Sequence, residues 1–376
     1  MLNRMNARLP QMLADIEELV RCESPSHDQA AVARSADVVA AVGTRLLGVA
    51  PDRLPDHCLR WTFGDGPARV LLLGHHDTVW PIGTLTTHPF RNAGGILRGP
   101  GCFDMKAGVV QALHAVAELP DRTGVTILIT GDEELGSPGS RPLIEAEARG
   151  CAAALVLEAS ADGGALKTER KGVSLYRVRA EGRAAHAGLE PERGVNASIE
   201  LAHQVLAVGA LADEGAGTTV TPTRMTSGTT TNTVPAAGDF AVDVRIRTLD
   251  EQQRVDAGMR ALRAVRPGAR LVVEGGPNRP PLERFDALYE HAVAAAHRLG
   301  LPAPGQAAVG GASDGNLTAG VGTPTLDGLG AVGGGAHADD EHVVVAELPR
   351  RAALVATLTA DLLTPLRPVR AAYPGW

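Results

Sequence analysis

The chain has 376 residues, 44% of them hydrophobic, with 36 Lys+Arg against 43 Asp+Glu and a net charge of -7. That is apolar material for a large core and, at roughly 150 residues per domain, for two or three domains; the mild acidity argues against a general nucleic-acid binder, which needs clustered Lys and Arg. No run of roughly 18 apolar residues predicts a membrane span, the acidic start MLNRMNARLPQMLADIEELV lacks a signal-peptide core, and Cys22, Cys58, Cys102 and Cys151 form no C-x-x-C pair, so the expectation is a cytoplasmic protein without a disulfide scaffold or thiolate zinc site.

In chain order, Leu9, Met12, Leu13, Ile16, Leu19 and Val20 recur at helical spacing and predict an amphipathic first helix. Val70 to Leu73, Val125 to Thr130 and Ala153 to Leu157 read as buried strands, and Met105 to Leu119 between them as a helix ended by Pro120. Strands alternating with helices predict a mostly parallel sheet covered on both faces, whose ligands sit beyond the carboxyl ends of its strands. The rhythm then changes. Val173 to Ala180 alternates like a half-exposed strand, Val195 to Leu211 is helical, Thr218 to Thr226 and Asp239 to Arg247 are strand-like, Asp250 to Val265 is helical, and Arg270 to Glu274 is a strand. That β-α-β-β-α-β order predicts a ferredoxin-like α+β domain inserted at 167–277. Residues 1–166 and 278–376 then form the other domain, with further helices near Glu283 to Leu299 and Val343 to Leu363.

Five strings concentrate acids and histidines after strands or in Gly-rich loops. They are GHHDTVWPIGTL (His75, His76, Asp77), GPGCFDMKAG (Asp104), TGDEELGSPGSR (Asp132, Glu133, Glu134), LVLEAS (Glu158) and GGGAHADDEH (His337). Several carboxylates facing one cleft repel each other unless a cation compensates. Imidazole and carboxylate donors without thiolates suit zinc or a similar divalent metal. Adjacent glutamates diverge on a strand but on a turn can divide labour between metal and water. His76 could stand in for His75, but strand-end geometry points it away and it reads as wall or core; a register shifted by one would put Asp132 in the place of Glu133. No G-K-[ST], G-x-G-x-x-G or G-x-S-x-G string supports a nucleotide site or a serine hydrolase. His88, His114, His203, His291 and His342 fit no motif and read as structural.

These strings, with GRAAHAG, GVNAS and GLGAVGGGAH, resemble the zinc-dependent peptidase family of glutamate carboxypeptidase, acetylornithine deacetylase, succinyl-diaminopimelate desuccinylase and aminoacylase, over about Val70 to Val344. The glutamate carboxypeptidase branch is the nearer match. The resemblance implies two zinc ions per chain, with Co2+ or Mn2+ as alternatives. It implies His75, Asp104 and Glu158 on one ion, Asp104, Glu134 and His337 on the other, Glu133 as general base and Asp77 orienting His75. It further implies that His186 reaches the active site of the partner subunit of a homodimer to stabilise the oxyanion, the inserted domain serving as lid and dimerisation surface. Asn232 in TNTVPA and Arg245 in DVRIRT would grip a substrate carboxylate, Arg245 through its bidentate guanidinium. Backbone N–H groups at Gly310 and Gly311 could meet the same carboxylate, with Ser313 capping the next helix.

The reading is therefore a dizinc amide hydrolase that removes a C-terminal amino acid, glutamate being the first candidate, from a small peptide or N-acyl conjugate bearing a free carboxylate, with no nucleic-acid or membrane partner. An N-acyl amino acid deacylase with the same metal machinery is the alternative. A non-catalytic amino-acid or peptide binder and a structural or storage zinc site are the readings from other classes.

Overall fold

The computed structural model describes residues 1–363. The chain divides into two compact units. The first holds Met1–Thr168, Arg284–Ala308 and the chain from Ser313; the second holds Glu169–Glu283 and Val309–Ala312. The sequence put the corresponding boundaries at 167 and 277, and its segment 278–376 runs on into residues 364–376, which lie outside the described residues. Residues 309–312 fall in the second unit because Lys171 N–H donates to the Val309 carbonyl (3.1 Å) and the Arg170 guanidinium to the Gly311 carbonyl (3.0 Å).

The first unit opens with helices α1 (Leu2–Arg21) and α2 (Gln29–Leu47). Strands β1 (Asp52–Arg53), β2 (Leu59–Thr62) and β3 (Val70–His75) follow, then α3 (Ala107–Ala117), β4 (Val125–Thr130), α4 (Arg141–Ala148) and β5 (Ala153–Val156). With Thr325–Leu326 as last strand, the sheet order is β1-β2-β4-β3-β5-(325–326). β3 runs parallel to β4 and β5, β5 parallel to Thr325–Leu326, and β2 and β1 antiparallel at the other edge. The runs VLLL, VTILIT and AALV are buried throughout, as a sheet covered on both faces demands. Alternation divides them: Val70 and Leu72 join the core with α1, α3 and the helix Leu348–Leu363, while Leu71 and Leu73 pack with Ile144 and Ala148 of α4.

The helix expected over Met105 to Leu119 begins only at Ala107, since Asp104 (φ -115°) and Met105 (φ -133°) have non-helical backbone. The helix expected from Val343 is a strand, His342–Val344, then a turn, then Leu348–Leu363. α2 is absent from the sequence reading, although Asp28 caps it by accepting from the Ala30 and Ala31 N–H groups (3.0 Å each).

The second unit contains β6 (Gly172–Glu181), α5 (Ala197–Gly209), β7 (Thr219–Ser227), β8 (Ala237–Ile246), α6 (Leu249–Ala261) and β9 (Arg270–Arg279). Its antiparallel sheet has the order β7-β8-β6-β9, the ferredoxin-like topology. Val178 and Ala180 of β6 and Phe240, Val242 and Val244 of β8 form its core with Leu201 of α5 and Val255 of α6. Among the described residues no helix is long and apolar enough to cross a membrane, and all four cysteines are free thiols.

Candidate metal centre

Three neighbouring parallel strands deliver donors at their carboxyl ends, at one end of the first unit's sheet. β3 ends on buried His75; the turn after β4 carries Glu133 and Glu134; Glu158 follows β5. Asp104 comes from the bend before α3, and His337 from a loop where its φ is +62°, a conformation non-glycine residues adopt only when their surroundings enforce it.

These side chains converge as two trios. The donor atoms of His75, Asp104 and Glu158 lie within 4.8 Å of one another, as do those of Asp104, Glu134 and His337. Asp104 belongs to both. Its Oδ1 is 3.4 Å from His75 Nε2 and its Oδ2 is 3.3 Å from His337 Nε2. His75 Nε2 stands 3.7 Å from Glu158 Oε1, and His337 Nε2 stands 3.2 Å from Glu134 Oε1.

His75 Nε2 and Asp104 Oδ1 are buried and have no hydrogen-bond partner, a costly arrangement for polar atoms unless a ligand sits between them. The electrostatics agree. Burial alone would lower the His75 imidazole, yet Asp104, Asp77 and Glu158 raise it well above its usual value. Asp104 and Glu134 push His337 up to about 10. Burial opposes ionisation of Asp104, but His337 and His75 hold its carboxyl far below the usual range. The cluster is a field of carboxylates seeking positive charge, and its imidazole and carboxylate donor set fits a pair of divalent cations.

Asp77 supports this end from behind. His75 Nδ1 lies 3.0 Å from the Asp77 carbonyl and 3.4 Å from its carboxylate. The same carboxylate accepts from Ser26 Oγ (2.6 Å) and from the Glu133 and Glu134 N–H groups (3.2 Å each). One buried acid thereby orients the histidine and pins the Glu133–Glu134 turn. Asp132 is occupied elsewhere: its carboxylate accepts from Gly139 N–H (2.8 Å), Ser140 N–H (3.1 Å) and the Ser140 hydroxyl. His76 is buried between Ser35 Oγ and the His57 carbonyl, 3.1 Å from each, and burial lowers it to about 4. Both sit in walls rather than at the trios. His114 meets Asp15 at 2.8 Å inside the core, and His88 meets Asp339 at 3.4 Å.

Sequence reasoning missed Glu341. It is buried, and its carboxylate accepts from Trp80 Nε1 (2.7 Å) and the N–H groups of Gly101 (2.9 Å), Phe103 (2.8 Å) and Asp104 (3.1 Å). Burial pushes this carboxyl above its usual range, and those four donors offset only part of that shift. Glu341 lies four places after His337 in GGGAHADDEH, but nothing in that spacing separates it from Asp339 and Asp340 beside it.

His186, Asn232, Arg245 and Gly311 belong to the second unit. The His186 and Asn232 segments lie side by side: Ala187 N–H donates to the Asn232 carbonyl and Val234 N–H to that of Ala185, both at 2.9 Å. His186 is exposed, its Nδ1 accepting from Gly188 N–H at 3.2 Å. Arg245 on β8 places Nε and Nη2 on the Asp243 carboxylate at 2.8 and 2.9 Å. Ser313 Oγ accepts from Gly315 N–H at 3.1 Å, at the start of the helix Gly315–Gly320.

A mostly parallel α/β sheet carrying two histidine–carboxylate trios at one end is the framework of a metal-dependent hydrolase. The model of "Peptidase family M20/M25/M40" matches residues 71–361, and the chain belongs to this family. It is 30% identical over 375 residues to carboxypeptidase G2 of Pseudomonas sp. strain RS-16, covering 94% of this chain and 89% of that protein. It is 31% identical over 381 residues to a succinyl-diaminopimelate desuccinylase of Methylobacterium sp. strain 4-46, covering 92% and 94%. In fold it resembles the YXEP protein of Bacillus subtilis, described as a dinuclear metal binding peptidase from the M20 family, with TM-score 0.64, 15% identity and coverage of 95% and 99%.

Proposed function

We propose that the protein is a dizinc carboxypeptidase that releases a C-terminal amino acid, glutamate being the first candidate, from a peptide or N-acyl conjugate. The observation that carries this reading is Asp104, with one carboxylate oxygen toward each histidine-bearing trio. His75, Asp104 and Glu158 would hold one ion, and Asp104, Glu134 and His337 the other. Imidazole and carboxylate donors suit zinc, with Co2+ or Mn2+ as substitutes. When bound, such a pair polarises an amide carbonyl and brings the pKa of a water to about 7. Glu133, on the turn beside Glu134, takes the proton of the attacking water and hands it to the leaving amine. Asp77 aligns His75 and fixes the backbone of Glu133. His186, reaching across the proposed homodimer into the partner subunit's site, donates to the developing oxyanion. Asn232, Arg245 and the Gly311 N–H hold the substrate carboxylate; in Arg245, Nη1 is the donor that the Asp243 contact leaves over.

The near full-length likeness to carboxypeptidase G2 supports release of a C-terminal residue. The desuccinylase relative supports the second reading, an N-acyl amino acid deacylase with the same residues in the same roles. The homodimer and the cytoplasmic location belong to the same proposal and rest on the family resemblance. The test is a screen of the zinc-loaded protein. Peptides and acyl conjugates with varied C-terminal residues are set against N-acyl amino acids with varied acyl groups, and released amine is followed. Selectivity for the C-terminal residue, with loss of turnover when its carboxylate is amidated, is expected. Equal rates on the amidated substrates would overturn the carboxypeptidase reading.

A further inference from the structure

Glu341 is an acid in an unusual place. A glutamate this buried is rare without a partner of opposite charge, yet its four hydrogen bonds come from an indole and three backbone amides. Oε2 takes Trp80 Nε1 and Gly101 N–H; Oε1 takes Phe103 and Asp104 N–H. All four groups are donors, so the partner must offer lone pairs on both oxygens, which only a carboxylate does. The three segments joined here each carry a candidate ligand. Trp80 lies on the loop that leaves His75, the amides belong to the bend that carries Asp104, and Glu341 lies four residues beyond His337. Glu341 is not itself among the donor atoms of either trio. Gly101 adds to the constraint: its φ is +70°, and a Cβ there would meet Thr78 Cγ2 at 2.4 Å, so the bend has little room to move.

A bridging carboxylate is more demanding than a terminal one, because each oxygen must reach a different ion and a rotation that suits one side spoils the other. We propose that Glu341 is the positioning residue of the bridge: by gathering Trp80, Gly101, Phe103 and Asp104 on one carboxylate, it sets the stance of Asp104 between His75 and His337. The inference rests on the two-metal reading of the trios. Glutamine at 341 keeps the shape but turns one oxygen into a donor facing two other donors. The bend loses half its anchor while the ligands themselves stay in the chain.

The experiment is a cobalt titration of metal-free protein, comparing wild type with Glu341→Gln and Glu341→Ala. Binding is followed by calorimetry, by visible absorption, and by the magnetic coupling between the two ions. Wild type should take two equivalents and show coupling. The variants should retain cooperative unfolding and bind one equivalent nearly as before. The second should bind about tenfold to a hundredfold more weakly, the range for groups that support a ligand, with the coupling signal reduced. At saturating metal, kcat should fall with KM nearly unchanged. Two equivalents with wild-type affinity and coupling in Glu341→Gln would overturn the proposal. So would loss of cooperative unfolding in both variants, since Glu341 would then serve the fold at large. Fewer than two equivalents in wild type would instead remove the two-metal reading beneath it.

Discussion

Glu133 and Glu134 occupy one turn, and their two N–H groups share one acceptor, the Asp77 carboxylate. Their side chains part: Glu134 reaches His337, while Glu133 is in neither trio. Glu133→Gln should therefore lower kcat by about 10^2 to 10^4, the usual contribution of a positioned acid–base group, with metal content unchanged by elemental analysis; loss of metal in this variant would make Glu133 a ligand. Asp77→Ala removes the carboxylate 3.4 Å from His75 Nδ1 and the acceptor of both amides at once, leaving only the main-chain carbonyl at 3.0 Å beside the ring. Metal affinity should drop about tenfold to a hundredfold, and a metal titration at wild-type affinity would reject its supporting role. At this scale the candidate metal donors were legible because each lies in a string whose residue types and surroundings are chemical: His75 in GHHD, Asp104 in GPGCFD, Glu158 after an apolar run. Ser26, Trp80 and Glu341 were not legible. Each works through a backbone or carboxylate contact 50 or more residues away, and a lone Ser, Trp or Glu has no spacing that announces it.

The elements explain why those donors meet. Strands β3, β4 and β5 read as strands because their apolar runs are too short for helices and stop at or near the end of the sheet. The sequence could not give their order, which depends on which runs become neighbours. It also missed α2, whose alanine-rich stretch shows a weaker apolar stripe than α1, and it started α3 two residues early. The cause is visible in the packing: Lys106, buried in the bend, donates to the Leu19 and Cys22 carbonyls at the end of α1 (3.0 and 2.8 Å), a tertiary bond that ties the chain before the helix begins. Gly108 in α3 carries a similar constraint. A Cβ there would stand 2.2 Å from the Leu157 carbonyl oxygen and 3.3 Å from Gly330 Cα, so the helix packs on the backbone that leads to Glu158. Gly108→Ala should destabilise by about 1–3 kcal/mol, the range for overpacking, measured by urea unfolding at constant metal load. A neutral or stabilising result would mean that α3 can shift away from β5 without loss.

Across the whole molecule the candidate ligands run from His75 to His337, so an ion pair would join segments that the chain itself leaves far apart. Ions that bind only the folded state stabilise it by RT ln(1 + [L]/Kd), about 4 kcal/mol at a thousandfold excess over Kd. Chelation should therefore lower the unfolding midpoint, and readdition should restore it. The pH dependence has a definite sign. In the metal-free protein the surrounding carboxylates push His337 up to about 10, so near pH 7.5 that ring carries a proton, and they shift His75 in the same direction, toward its protonated form. In the unfolded chain they titrate near 6.5. Their contribution to metal-free stability is fully present below about pH 6.5 and is lost as pH rises toward the folded values. Ligation requires neutral imidazole, so metal binding must expel those protons and apparent metal affinity must climb over the same interval. Calorimetry of metal uptake at pH 7.5, in buffers of different ionisation enthalpy, should register proton release, and the stabilisation by metal should grow from pH 6.5 to 9. Uptake without proton release would mean that these histidines are already neutral, and that the carboxylate field inferred around them is balanced by something other than their protons.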